Sequence, residues 1–231
     1  MRAPQDREAP ESRALQHLSV FAFGDIALGH RGVFDKRGIL SIAALREILR
    51  RVTEHAEVVT LPGSSPQRVV AGGSEAARRR VALAFVGGHS AHARYVAPLL
   101  DMLGLTGHLF VPVERIGLPG QMSLLDLESL RQIPGVRIGL DLSREVPHTS
   151  HRLAQRLRQA SQTLSARVGH RPQFVWVRTV DPALPLAFLL GQHQYAGAIA
   201  RDLHTHYRNR GRWMLAASEP SWCLRLGLPC L

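Results

Sequence analysis

The chain has 231 residues, 45% of them apolar, which is enough for one large α/β core and excludes the disordered and fibrous classes. No stretch approaches the roughly 20 apolar residues of a membrane-spanning helix. The N-terminal MRAPQDREAPESRALQ also lacks the apolar centre of a secretory signal. The expectation is a cytoplasmic protein with a flexible segment over 1–16 and a single domain over 17–231. The formal charge of +11 comes almost wholly from arginine, since Lys36 is the sole lysine. Such a bias follows from genome composition as readily as from polyanion binding. No aromatic residues interleave with Arg78-Arg79-Arg80, so nucleic acid is not the expected partner. Cys223 and Cys230 are too few for a zinc ribbon and read as free thiols in a reducing compartment, with a terminal disulfide as the alternative.

In chain order, Leu18 to Leu28 reads as the first strand, followed by the loop Gly29-His30-Arg31-Gly32. Ser41 is placed to cap a helix whose Ile42, Leu45, Ile48, Leu49 and Val52 share one face. Glu57 to Leu61 is a short strand, and 62–80 is an exposed connection. Val81 to Val113 then gives apolar run, glycine pair, helix and second apolar run, which is one βαβ unit with parallel strands. Met122 to Ile133 reads as a helix capped by Ser123, Val136 to Leu142 as a strand, and Thr149 to Val168 as a long polar helix. Phe174 to Val177 is a strand, Leu184 to Leu190 a helix, Ala196 to Ala200 a short run and Trp213 to Ala216 a last strand. Seven or so strands alternating with helices predict an irregular α/β barrel, with an open doubly wound sheet as the alternative.

In such folds ligands meet the loops at the carboxyl ends of the strands. Chemistry is therefore expected at Phe85-Val86-Gly87-Gly88, a turn of catalytic shape with almost no chemical groups in it. Gly88-His89-Ser90 is not a nucleophile elbow. Gly72-Gly73 and Gly87-Gly88 lack the Lys and Ser/Thr of a phosphate loop.

The order and spacing of the elements resemble the polysaccharide deacetylases (carbohydrate esterase family 4, the NodB homology domain) from about residue 18 to 180. In that family the first strand ends in a Tyr-His-arginine loop, and Leu28-Gly29-His30-Arg31 looks similar. Its Thr-Phe-Asp-Asp-Gly signature is matched by Ala84-Phe85-Val86-Gly87-Gly88. Its "pLL...gl" helix end is matched by Pro98-Leu99-Leu100 through Leu103-Gly104-Leu105. The strand after it is matched by Gly107-His108-Leu109-Phe110-Val111, a following helix by Met122 to Leu130, and the Gly-x-x-Ile-Gly strand by Gly135 to Gly139. The resemblance implies a single-domain (β/α)7-type barrel and metal-dependent removal of acetyl groups from amino sugars. In the family the first signature Asp is the general base, the second binds the metal, and two histidines four apart complete the metal site.

Carried over residue by residue, that machinery is missing. Val86 stands at the base position and Gly87 at the metal-binding carboxylate. Asp141 and Glu145 stand where the histidines belong, and Trp176-Val177-Arg178-Thr179 where the groove motif belongs. Loss of a general base alone costs a factor of roughly 10²–10⁴, and loss of the metal removes activation of the water. The expected function is that of a catalytically degenerate deacetylase-like protein in glycan binding or cell-surface polysaccharide production. The alternative is an active N- or O-deacetylase with a rebuilt site.

The candidate pocket comprises His30, Gly88, His89, Asp141, Glu145 and Trp176. No cofactor is expected; the alternative is one divalent cation on His89, Asp141 and Glu145, whose oxygens suit Mg²⁺, Mn²⁺ or Ca²⁺ better than Zn²⁺. The simpler reading has Asp141 capping its strand end and Glu145 opening the next helix. The histidine pairs His89/His92, His148/His151 and His204/His206 have spacings that let two ligands share a face, without a third ligand in the sequence. The expected partner is a carbohydrate or polysaccharide, acidic ones being favoured by the net charge.

Overall fold

In the computed structural model the described residues are 18–28, 39–61, 79–143, 149–178, 186–201, 203, 207–209 and 212–218. Apolar strands buried on both faces build a closed barrel. Its staves are β1 (Leu18–Phe23), β5 (Arg79–Phe85), β6 (Gly107–Val111), β7 (Val136–Asp141), β8 (Phe174–Val177), β9 (Gly197–Ala200) and β11 (Arg212–Ser218). These seven strands are parallel, and the ring runs β1-β11-β9-β8-β7-β6-β5. It closes where β1 pairs with β5 along its whole length, from Leu18↔Arg80 to Phe23↔Phe85. Short additions lie beside it: β4 (Ala56–Val58) on the start of β5, β10 (Tyr207–Asn209) antiparallel to β11, and β2 (Ile26–Ala27) paired with β3 (Leu40–Ser41).

The side-chain period of two sorts each strand into an inward and an outward set. On β5 and β6, Ala82, Ala84 and Phe110 fill the lumen with Phe174 and Trp176 of β8, Ile199 of β9 and Leu215 of β11. Small residues on β5 face rings from β6 and β8, so the lumen is filled without crowding. Gly139 of β7 completes the fit: a Cβ there would stand 2.4 Å from the Phe110 ring and 3.1 Å from the Phe174 carbonyl oxygen. The outward set, Leu83, Phe85, Leu109, Ile138, Leu140 and Val175 among it, packs under the helices.

Among the described residues five helices surround the barrel: α1 (Ile42–His55), α2 (Ala97–Met102), α3 (Leu124–Leu130), α4 (Ser150–Val168) and α5 (Leu186–Gln192). Ser41 caps α1 by accepting from the Ala44 N–H at 3.1 Å, and Leu45, Ile48, Leu49 and Val52 form its buried face. Ser123 and Asp126 close a reciprocal capping box on α3. Thr149 caps α4, whose Leu153, Leu157, Leu164 and Val168 lie buried, and Gly169 ends it in the left-handed conformation.

The single-domain barrel is the architecture expected from the pattern of elements; several boundaries differ. The first strand ends at Phe23, not Leu28, because β1 stays in register with β5 only to Phe85. Arg79 and Arg80 are the opening residues of β5 and not part of an exposed connection, since both β1 and β4 hydrogen-bond there. The helix expected over Met122 to Ile133 is shorter at both ends, the last strand expected over Trp213 to Ala216 runs from Arg212 to Ser218, and the short strands β2, β3 and β10 carry no periodic signal to foretell them. The segment 1–16, the loop with His30, both cysteines, His148, His204 and His206 lie outside the described residues.

Replacing Gly139 by Ala forces a methyl into the Phe110 ring and is expected to lower the unfolding free energy by about 1–3 kcal/mol. Leu157→Ala, which empties a fully buried position on α4, is expected to cost about 2–5 kcal/mol. Urea denaturation of the two variants beside the parent protein measures both losses.

Candidate functional site

The carboxyl ends of β1 and β5 lie side by side, and the Val86 N–H donates to the Phe23 carbonyl at 2.8 Å. Gly24 and Asp25 leave one strand, and Val86 to His89 leave the other. Gly87 and Gly88 adopt φ of +95° and +61° in succession, a left-handed path that glycine takes without strain. The turn is pinned from outside: the Met122 N–H donates to the Gly88 carbonyl at 2.8 Å and the Ser90 N–H to the Gly120 carbonyl at 3.0 Å.

His89 turns back over this loop. Its Nε2 ion-pairs with the Asp25 carboxylate. On its other side the Gln121 amide lies 3.3 Å from Nδ1. Turned so that both its ends are paired, that amide donates to the Gly87 carbonyl at 2.7 Å and accepts from Arg115 Nη2 at 3.1 Å. The consequence for Gly87 is steric. A Cβ at residue 87 would stand 2.5 Å from His89 Nε2 and 2.9 Å from its Cδ2. The imidazole occupies the space that a side chain at 87 would need.

His92 opens the π-helical turn His92–Val96 that leads into α2. Nε2 donates to the Gly24 carbonyl at 2.8 Å, while the buried Nδ1 has no partner. Burial pushes its pKa down to about 4, with the neighbouring His89 adding to the shift and the Gly24 carbonyl opposing it. The ring is thus a neutral strut between the π turn and the chain leaving β1. His89 and His92 meet edge to face at 5.4 Å, but their Nε2 atoms serve different partners and do not converge.

Asp141, the last residue of β7, is 2% exposed. One carboxylate oxygen accepts from the Gly87 N–H at 2.9 Å and the other from the Ser143 N–H at 2.7 Å. Burial raises its pKa; the donors from Ser143 and Gly87 pull the other way, and the Glu114 charge adds to the rise.

The structure therefore brings Val86, Gly87, Gly88, His89 and Asp141 to one end of the barrel. Val86 is half-buried and packs on the inner cluster. Trp176 is the strand neighbour of Asp141, but it lies within that cluster beside Phe110, with 6.0 Å between the rings, and presents no open face. Glu145 lies outside the described residues, and His151 is on an exposed position of α4. Two residues of the site escape a reading of the sequence. Asp25 would have been found by ending the first strand at Phe23; Gln121 carries no signal.

The residues present do not fit the metal site that the resemblance implies. Position 87 offers no ligand atom and a Cβ there would meet the His89 ring, while both Asp141 oxygens are engaged by main-chain N–H groups. Among the described residues, no three His, Cys, Asp or Glu side chains gather where they could hold a metal ion. The Asp141 carboxylate accepts from the Gly87 and Ser143 main chain at the end of its strand.

The architecture is that of the polysaccharide deacetylases. The chain superposes on IcaB from Ammonifex degensii with a TM-score of 0.70 at 13% identity, covering 91% of this chain and 96% of that one. For the Streptococcus pyogenes deacetylase PplD, solved in complex with acetate, the TM-score is 0.66 at 10% identity, over 92% and 98% of the two chains. For a de-N-acetylase from Aggregatibacter actinomycetemcomitans it is 0.61 at 13% identity, over 88% and 95%. No protein-family model matches the sequence, and no curated protein matches it. At such identities the likeness is one of fold.

Restoring a carboxylate by Gly87→Asp places a Cβ against His89 at a positive φ and is expected to destabilise the protein by about 1–3 kcal/mol. On a His89→Ala background the loss shrinks, which a double-mutant cycle of denaturation midpoints measures. His92 provides a pH test. The folded protein protonates it near pH 4 and the unfolded chain near 6.5, so the folded state holds fewer protons in between. Stability is accordingly complete above 6.5 and falls as pH drops toward 4. In His92→Gln this part of the acid sensitivity is expected to vanish, visible as a stability gap to the parent protein that narrows through the window.

Proposed function

We propose that this protein uses a deacetylase-type barrel to bind carbohydrate in polysaccharide production, without the metal-dependent hydrolysis of that fold family. The observation that carries this reading is the filled space at Gly87, where the His89 ring excludes the side chain that would hold a metal. The replacement is structural and not a single lost group: Asp25, Gln121 and Arg115 hold the new arrangement together. Val86 leaves the base position with nothing to accept a proton.

What remains at the mouth suits hydroxyl-rich ligands. Asp25 and His89 are partly exposed there, at 48% and 23%, and offer acceptor and donor to sugar hydroxyls. Arg178 and Arg201 follow the ends of β8 and β9 at exposed positions. Cationic groups at that rim favour glycans carrying carboxylate or sulfate groups. The competing reading is an enzyme that removes N- or O-acetyl groups through a rebuilt site around His89, Asp141 and Glu145.

Metal analysis of the purified protein, hydrolysis assays and glycan binding on the same preparation separate the two. The expected result is metal below stoichiometric amounts, no release of acetate above background, and saturable glycan binding that weakens as salt is added. Stoichiometric metal that disappears in Asp141→Asn, together with turnover of an acetylated glycan, would replace this reading by the enzymatic one.

A further inference from the structure

We propose that the opposite end of the barrel carries a second binding site, an oxyanion pocket for a ligand bearing a phosphate group. A cavity of about 240 Å³ opens there, lined by His108, Arg137, His170, Arg171, Gln173 and Phe174 among others. His108 and Arg137 are the second residues of β6 and β7, Phe174 is the first of β8, and 170–173 lead into it. Asp141 ends the strand in which Arg137 is the second residue, about 13 Å further along at the rise of an extended chain. The cavity is thus separate from the mouth with Gly87 and His89.

The lining is cationic and carries no carboxylate among the described residues. Both guanidinium groups are held by neutral acceptors. Arg137 Nη1 donates to the Pro134 and Val136 carbonyls at 2.6 and 3.1 Å. Arg171 donates to the Gln194 side-chain oxygen at 2.5 Å and to the His193 carbonyl at 2.7 Å. Such contacts fix the two groups in place without cancelling their charge, which is the preorganisation that anion recognition needs. The histidines register the same field. The Leu61 N–H donates to His108 Nε2 at 3.1 Å, so the ring's proton sits on Nδ1. Burial holds the pKa of His108 down to about 3 and also lowers that of His170, with the charge of Arg137 adding to both shifts.

Gln173, which lines the cavity, has its Oε1 buried without a hydrogen-bond partner. A phosphate or a phosphate monoester answers the cationic lining, with charged oxygens for the two arginines. The volume lies just under the range of about 300–1,000 Å³ typical of drug-sized ligand pockets, which calls for a compact ligand. Free phosphate and a phosphorylated sugar share this chemistry.

Titration calorimetry with inorganic phosphate, at ionic strength held constant with chloride, tests the site. One saturable site is expected, with binding about tenfold weaker in Arg137→Gln and in Arg171→Gln. The imidazole signals of His108 and His170 in the unmutated protein are expected to move with the same saturation, a readout that needs no variant to fold. A hexose phosphate binding more tightly than phosphate identifies a phosphorylated sugar as the ligand; equal or weaker binding identifies the free anion. Absence of saturable binding with unmoved histidine signals, or affinities unchanged in both variants, overturns the proposal.

Discussion

The pairing of β1 with β5 is the contact on which the rest depends. Six register pairs run from Leu18↔Arg80 to Phe23↔Phe85 and turn an open parallel sheet into a closed ring. Closure removes the sheet edges and fixes which residues face the lumen. It also sets the chemistry of the mouth, because the two strands end level with each other. Asp25 leaves β1 where His89 folds back from β5, and the Gly24 carbonyl meets His92. Were the pairing shifted by one residue, the inward and outward sets would exchange and neither contact would form.

Seen from this closure, the turn after β5 is a matched set of residues. Gly87 takes a backbone conformation suited to glycine and leaves space that the His89 ring fills. His89 in turn is held by Asp25, with Gln121 on its other side, and Gln121 reaches back to the Gly87 carbonyl. Asp141 completes the circle by accepting from the Gly87 N–H. Here the space is occupied, and among the described buried side-chain atoms of the turn His92 Nδ1 alone lacks a partner.

The two ends of the barrel also differ in electrostatic character. At the mouth, carboxylates from Asp25 and Asp141 stand among the polar groups. At the strand starts, arginines held by carbonyls and neutral histidines line a cavity without an acid among the described residues. A net charge of +11 is therefore not spread evenly over function. Part of it is fixed by neutral acceptors beside a confined volume.

The sequence alone determined the class of fold. Apolar runs of strand length alternating with helical faces, glycine turns and Ser caps at 41 and 123 dictate parallel strands with helical crossovers, because those signals are local in the chain. It also showed that positions 86 and 87 bear neither a base nor a ligand, since identity is read directly from the residues. Tertiary structure decided the rest. That His89 fills the space beside Gly87, that Asp25 and Gln121 belong to the site, and that Asp141 serves the Gly87 N–H all arise from residues 32 to 64 positions apart or turned back on themselves. The same holds for the basal cavity, assembled from the starts of three strands. Such contacts have no period and no local composition; they exist only because the ring closes, and closure is a property of the whole sheet.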